Sequence, residues 1–135
     1  MIRRAAAMTV VLALAAVFVS ASGRQGHAQD LSAGANAFKK CQPCHAVGEG
    51  AANKVGPTLN GLEGRRAGSV EGYSYSEANK RSGIVWNEQT FKEYIQNPRA
   101  VIPGTKMIFA GIKNETEIAN LWAYLKQFGP DGKTK

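Results

Sequence analysis

The chain has 135 residues, 44% of them hydrophobic and 20% charged, with a formal net charge of +7; this length fits one domain or slightly less and excludes a second large one. The hydrophobic fraction excludes a wholly disordered chain, and 15 glycines with 5 prolines in no fixed period exclude collagen. Two cysteines, Cys41 and Cys44, are too few and too close together to staple a disulfide-rich scaffold.

Residues 1–28 read as a secretory signal: Arg3 and Arg4 follow the starting Met, an apolar stretch runs from Ala5 to Val19, and small residues follow it. Gly26-His27-Ala28 has the spacing that a signal peptidase needs and predicts cleavage before Gln29; Ser20-Ala21-Ser22 is a second candidate. An uncleaved anchor is the competing reading, but 15 Ala-rich residues fall short of the ~20 that cross a bilayer core. Cleavage removes Arg3, Arg4 and Arg24 and leaves 14 basic against 10 acidic side chains in one predicted domain over 29–135. These cations are dispersed and lack a stacking motif, which argues against nucleic acid and favours a protein partner with an acidic surface.

Residues 31–41 (LSAGANAFKKC) predict a short helix anchored by Phe38 and capped by Asp30 or Ser32. Residues 46–72 hold seven glycines and Pro57 without a sustained period, and predict a long loop. A loop of about 25 residues in a small domain needs something else to organise it. Ser76–Arg81 predicts a short helix, and Asn87–Asn97 a longer one with Phe91, Tyr94 and Ile95 on one face, closed by Pro98. Beyond the turn at Pro103-Gly104, Asn114 to Glu117 reads as a capping box. It opens a helix with Ile118, Leu121, Trp122 and Leu125 at helical spacing, stopped by Gly129-Pro130. The expected fold class is all-α: three to five short helices and long loops, with no strand. So thin a core implies that a large buried cofactor supplies apolar surface.

Cys41-Gln42-Pro43-Cys44-His45 is a C-x-x-C-H sequence, the attachment signature of c-type haem. Two cysteines three apart share a helical turn and can reach two vinyl groups, while the histidine one residue on is turned under the ring to ligate iron. Three other readings compete. Structural zinc needs four protein ligands, and beyond residue 28 no further Cys or His remains. A thioredoxin-like pair needs a strand leading into the motif, where a helix is expected. A Cys41–Cys44 disulfide would close almost no loop. For a second axial ligand, lysines are protonated at neutral pH, and Met107 is the one methionine beyond residue 28. Its place in an apolar run suits an ordinary core methionine equally well.

The chain resembles the class I cytochrome c family, closest to mitochondrial cytochrome c and its small soluble bacterial relatives. The residues that carry the likeness span nearly all of 34–128. They are Cys41 to His45, Gly56-Pro57, Gly61-Leu62, Gly64-Arg65, Gly72-Tyr73, Tyr75-Ser76, Ala78 to Lys80, Trp86, Tyr94, Asn97-Pro98 and the run IPGTKMIFAGI from Ile102 to Ile112. The resemblance implies a cytochrome c fold around one covalent haem c on Cys41 and Cys44, with His45 and Met107 as axial ligands. It further implies that the Pro57 carbonyl holds His45, and that Arg65, Tyr75, Asn79, Trp86 and Thr105 bind or neutralise the haem propionates. On residue type alone, Trp86 suits a core position and Arg65 a solvated one. The resemblance also packs Gly34 and Phe38 against Leu121, Tyr124 and Leu125, and places Tyr94 beside Met107. Departures from the mitochondrial pattern are Asn53 for a histidine, Glu63 for an aromatic, Trp122 for an aliphatic and Ala100 for a lysine.

Two filled axial positions leave no open site for oxygen, peroxide or substrate, so the expected activity is outer-sphere one-electron transfer rather than catalysis. The resemblance implies a monomeric periplasmic shuttle with no stable membrane insertion after cleavage. Its partners would be redox proteins with acidic docking faces: a cytochrome bc complex, and a terminal oxidase, a photosynthetic reaction centre or a reductase. Lys39, Lys40, Lys54, Arg99, Lys106 and Lys113 would surround the haem edge.

Overall fold

A computed structural model describes residues 29–135; the expected signal over 1–28 lies outside them. Five helices follow in order: α1 (Leu31–Phe38), α2 (Glu77–Arg81), α3 (Glu88–Gln96), α4 (Pro98–Val101) and α5 (Glu115–Lys126). Among the described residues no strand forms, only the isolated bridges Arg66–Val85 and Phe128–Thr134. This is the all-α arrangement expected from the sequence.

Side-chain caps decide where the helices start. Asp30, not Ser32, caps α1, accepting from the N–H groups of Ser32 at 2.8 Å and Ala33 at 3.0 Å. α1 stops at Phe38, three residues before the expected end, and the chain continues in tight turns in which Cys41 N–H donates to Phe38 O at 2.8 Å and Cys44 N–H to Cys41 O at 3.0 Å. The reciprocal capping box lies at α3, between Asn87 and Thr90. At α5, Asn114 supplies its half alone, accepting from Glu117 N–H at 2.9 Å. Pro98 both closes α3 and opens α4 at its first position, where its missing N–H costs nothing; the sequence reading found only the closure. α5 ends at Lys126, short of the expected stop at Gly129-Pro130.

That glycine belongs instead to a hook over residues 127–135, where Gly129 N–H donates to Lys133 O at 2.8 Å and Lys135 N–H to Gln127 O at 2.9 Å.

α1 crosses α5 as the main helix pair, and Gly34 makes the approach possible. A Cβ there would overlap the Asn120 carbonyl and lie 2.7 Å from Tyr124 Cβ. Beside it the Phe38 and Tyr124 rings tilt together at 5.5 Å. On the other side of α5, Trp122 is fully buried and packs on Phe91 of α3 at 5.2 Å, so the aromatic departure at Trp122 fills the α3–α5 seam. The departure at Asn53 clips two loops, accepting from Thr58 N–H at 3.0 Å and donating to Glu71 O at 3.0 Å. The helices and loops 46–72 and 102–112 enclose one cavity, and the residues that line it include Leu62, Trp86, Phe91, Ile95 and Leu125 of the core.

Candidate functional site

The turn after α1 delivers Cys41, Cys44 and His45 to this cavity, with His45 N–H donating to Cys41 O at 2.8 Å. Cys41 and Cys44 are not paired in a disulfide. Burial pushes the Cys41 thiol up to about 11, with Lys40 opposing the shift. A thiol held neutral at ordinary pH does not behave as a thioredoxin-type nucleophile.

The His45 ring meets the loop that bears Gly56 and Pro57. Its Nδ1 lies 2.7 Å from Pro57 O. A carbonyl can only accept, so Nδ1 carries the proton and Nε2 keeps its lone pair for a metal. Burial lowers the His45 pKa, while the bond to Pro57 pushes the other way; the neutral imidazole that a ligand must be is the favoured form. Gly56 permits this closeness, since a Cβ there would overlap the ring and lie 2.7 Å from Nδ1.

The other polar residues arrive from loops. Half-buried Arg65 donates through one terminal nitrogen to Thr58 O at 3.0 Å and Asn60 O at 2.8 Å, and burial lowers its pKa. A guanidinium keeps its charge under such a shift. Tyr75 Oη accepts from Val70 N–H at 3.1 Å, and its ring meets Tyr73 edge-on at 4.7 Å. Trp86 is buried against Tyr94 at 5.0 Å. Thr105 Oγ1 lies 3.1 Å from Tyr94 Oη and accepts from Met107 N–H at 3.2 Å, which ties the methionine's backbone to α3. Asn79 Oδ1 is buried without a hydrogen-bond partner; as an acceptor it calls for a donor, while the Nδ2 of the same amide is the atom that can donate to a carboxylate.

All ten residues singled out in the sequence line the same cavity: Cys41, Cys44, His45, Pro57, Arg65, Tyr75, Asn79, Trp86, Thr105 and Met107. An apolar interior, two cysteines, one neutral imidazole, one thioether and a set of polar groups that includes the donors of Arg65 and Trp86 fit a haem, whose ring is apolar and whose propionates are charged.

Sequence reasoning missed Asn60 and gave Tyr73, one of the residues that carry the likeness, no role of its own. Asn60 exchanges two 2.9 Å bonds with the Gly48 peptide, and Tyr73 Oη donates to Val55 O at 2.8 Å. Neither stands in a periodic pattern, so only the folded loop reveals them. Of the six cations expected around the haem edge, Lys40 pairs with Glu117, Lys54 donates to Gln42 O, Lys113 to Gln96 O, and Lys106 to Ser74 O at 2.8 Å. Val55 and Ile108, 74% and 85% exposed, line the mouth of the cavity.

Comparison with known proteins follows the same lines. The cytochrome c family matches over residues 31–129. A cytochrome c2 of Rhodoplanes tepidamans is 69% identical over 107 residues, covering 79% of this chain and 100% of that protein. A cytochrome c-550 of Bradyrhizobium diazoefficiens is 66% identical over 104 residues, 77% of this chain and 76% of the relative. Among solved structures, cytochrome cH from Methylobacterium extorquens superposes with a TM-score of 0.67 at 41% identity, over 72% of this chain and 97% of the other. The chain therefore belongs to the cytochrome c family, electron carriers rather than enzymes, which bind a covalently attached haem c, and Cys41 and Cys44 fit the attachment motif.

Proposed function

We propose that this protein is a periplasmic one-electron shuttle in which His45 and Met107 together close both axial positions of the haem iron. The supporting observation is the His45 Nδ1 bond to Pro57 O at 2.7 Å, which leaves Nε2 as a donor in a cavity that Met107 also lines. When bound, the haem supplies a reversible one-electron couple. The chain's own residues do the rest. Pro57 fixes the imidazole and raises its basicity as a ligand. Thr105 holds the Met107 backbone, and a soft thioether favours the reduced metal. Arg65, Tyr75, Asn79, Trp86 and Thr105 make propionate burial tolerable.

Residues 1–28 act as the cleaved export signal and 29–135 as the carrier domain. A protein with basic groups and two exposed aliphatics at the cavity mouth suits an acidic partner with an apolar centre: a cytochrome bc complex on one side, an oxidase, reaction centre or reductase on the other. The test is a visible spectrum of the exported protein, oxidised and dithionite-reduced, with and without carbon monoxide. A six-coordinate low-spin spectrum indifferent to carbon monoxide is expected, and Met107→Ala should turn it into one that binds the gas. Ready binding by the unaltered protein overturns the closed pair.

A further inference from the structure

The loop that carries His45 is closed at its base by two short pairings. Leu59 N–H donates to Ala46 O at 3.0 Å, and the Asn60 side chain grips the Gly48 peptide. His45 immediately precedes Ala46 on one limb and Pro57 stands two residues before Leu59 on the other, so this pairing, together with the Gly56 N–H bond to Cys44 O at 2.8 Å, bears on the separation across which Nδ1 meets the carbonyl. The outer side of the base is partly covered. The hook over 127–135 lies against both of its limbs.

On one limb, Gly132 is buried on the Gly48-Glu49 peptide: its φ is +80°, and a Cβ would overlap the Gly48 carbonyl and lie 2.7 Å from Glu49 N. On the other, Gly61 N–H donates to Phe128 O at 3.0 Å, and Pro130 packs so closely that a Cβ on Gly61 would lie 3.1 Å from Pro130 Cα. The hook is stiffened by its own bonds, Gly132 N–H to Gly129 O at 2.9 Å and Gly129 N–H to Lys133 O at 2.8 Å. It is anchored to α5 by the Phe128 ring, edge-on to Tyr124 at 5.3 Å. The charged pairs Lys133–Glu49 and Lys135–Glu63, at 4.0 and 3.5 Å, are exposed and contribute little. Backbone fit therefore carries the contact.

We infer that the hook is a positioning element for the axial histidine: by clamping both limbs of the loop base it holds the Pro57 carbonyl on His45 Nδ1 and couples that bond to α5. This rests on His45 being an iron ligand, as proposed above. Regions of a protein open locally with their own free energies, which hydrogen exchange resolves. The experiment is exchange on the reduced haem-loaded protein by NMR, with residues 129–135 deleted. Roughly tenfold faster exchange is expected at His45 Nδ1–H and at the Leu59 amide, while the Leu121 amide in the core stays within about twofold.

A merely structural tail would speed all three alike, and that result, or no change at the first two, overturns the inference. Should the deletion fail to assemble, Gly132→Ala is read in the same way, since one methyl would push the hook off the Gly48-Glu49 peptide while leaving every other residue in place. The Leu59 amide tests the clamp whatever ligates the iron, whereas carbon monoxide binding by the full chain counts against Met107 as second ligand and leaves the clamp standing. Raising the salt should leave the wild-type exchange pattern unchanged; salt-accelerated exchange would mean that the exposed charge pairs, not the backbone fit, hold the base.

Discussion

At the scale of single residues, the site depends on a carbonyl and an absent side chain as much as on its ligands. Pro57 contributes an oxygen, and Gly56 contributes room. Gly56→Ala should push the His45 ring out of line, lower the yield of haem-loaded protein and weaken the Nδ1 bond; a variant with wild-type yield and unchanged His45 exchange counts against this reading. Such residues differ in how far they can be read from sequence. Cys41, Cys44 and His45 announce themselves because covalent attachment fixes their spacing within five residues. Met107 does not, since a thioether in an apolar run looks the same in a core or on a metal, and its proposed role as a ligand draws on the family likeness. Asn60 and Tyr73 act through backbone atoms of distant loop residues, and no local pattern encodes a partner 12 or 18 residues away.

At the scale of elements, α5 bears the greatest load, buried against α1 on one side and α3 on the other. Trp122→Ala should cost roughly 3–5 kcal/mol, the range for emptying a large aromatic site, whereas Asn114→Ala should cost about 1 kcal/mol by removing one cap bond. Denaturant unfolding of the two variants checks this ordering, and equal losses would refute it. The helices were legible because caps and 3.6-residue spacing are local signals. Their ends were less so. α1 stops early because the haem-binding turn takes over at Lys39, and α5 stops early because Gly129 and Pro130 are used by the hook rather than by a helix terminus. α4 escaped notice because a four-residue helix has no period to detect.

At the scale of the whole molecule, the fold is a helical frame around a cavity that the polar residues of the site line. Burial raises the pKa of Tyr94 above the ordinary phenol value, with the Thr105 bond opposing. Its contribution to stability is thus fully present below about pH 10 and is lost as pH rises through the folded value, because the unfolded chain releases its proton first. Tyr94→Phe should flatten the fall in stability above pH 10; an unaltered slope in a pH series of melting curves would assign the alkaline limb to other groups.

The two tryptophans of the chain stand at different depths from the cofactor. Trp86 lines the cavity, while Trp122 lies one ring further out, behind Phe91. Haem absorbs where indole emits, and energy transfer to it falls steeply with distance, so the folded protein should be almost dark. Replacing either tryptophan by phenylalanine leaves a single lamp. The Trp86 lamp brightens when the cavity wall loosens, and the Trp122 lamp when α5 parts from α3. The packing that builds the core thereby equips the molecule with a two-point optical gauge of its own unfolding.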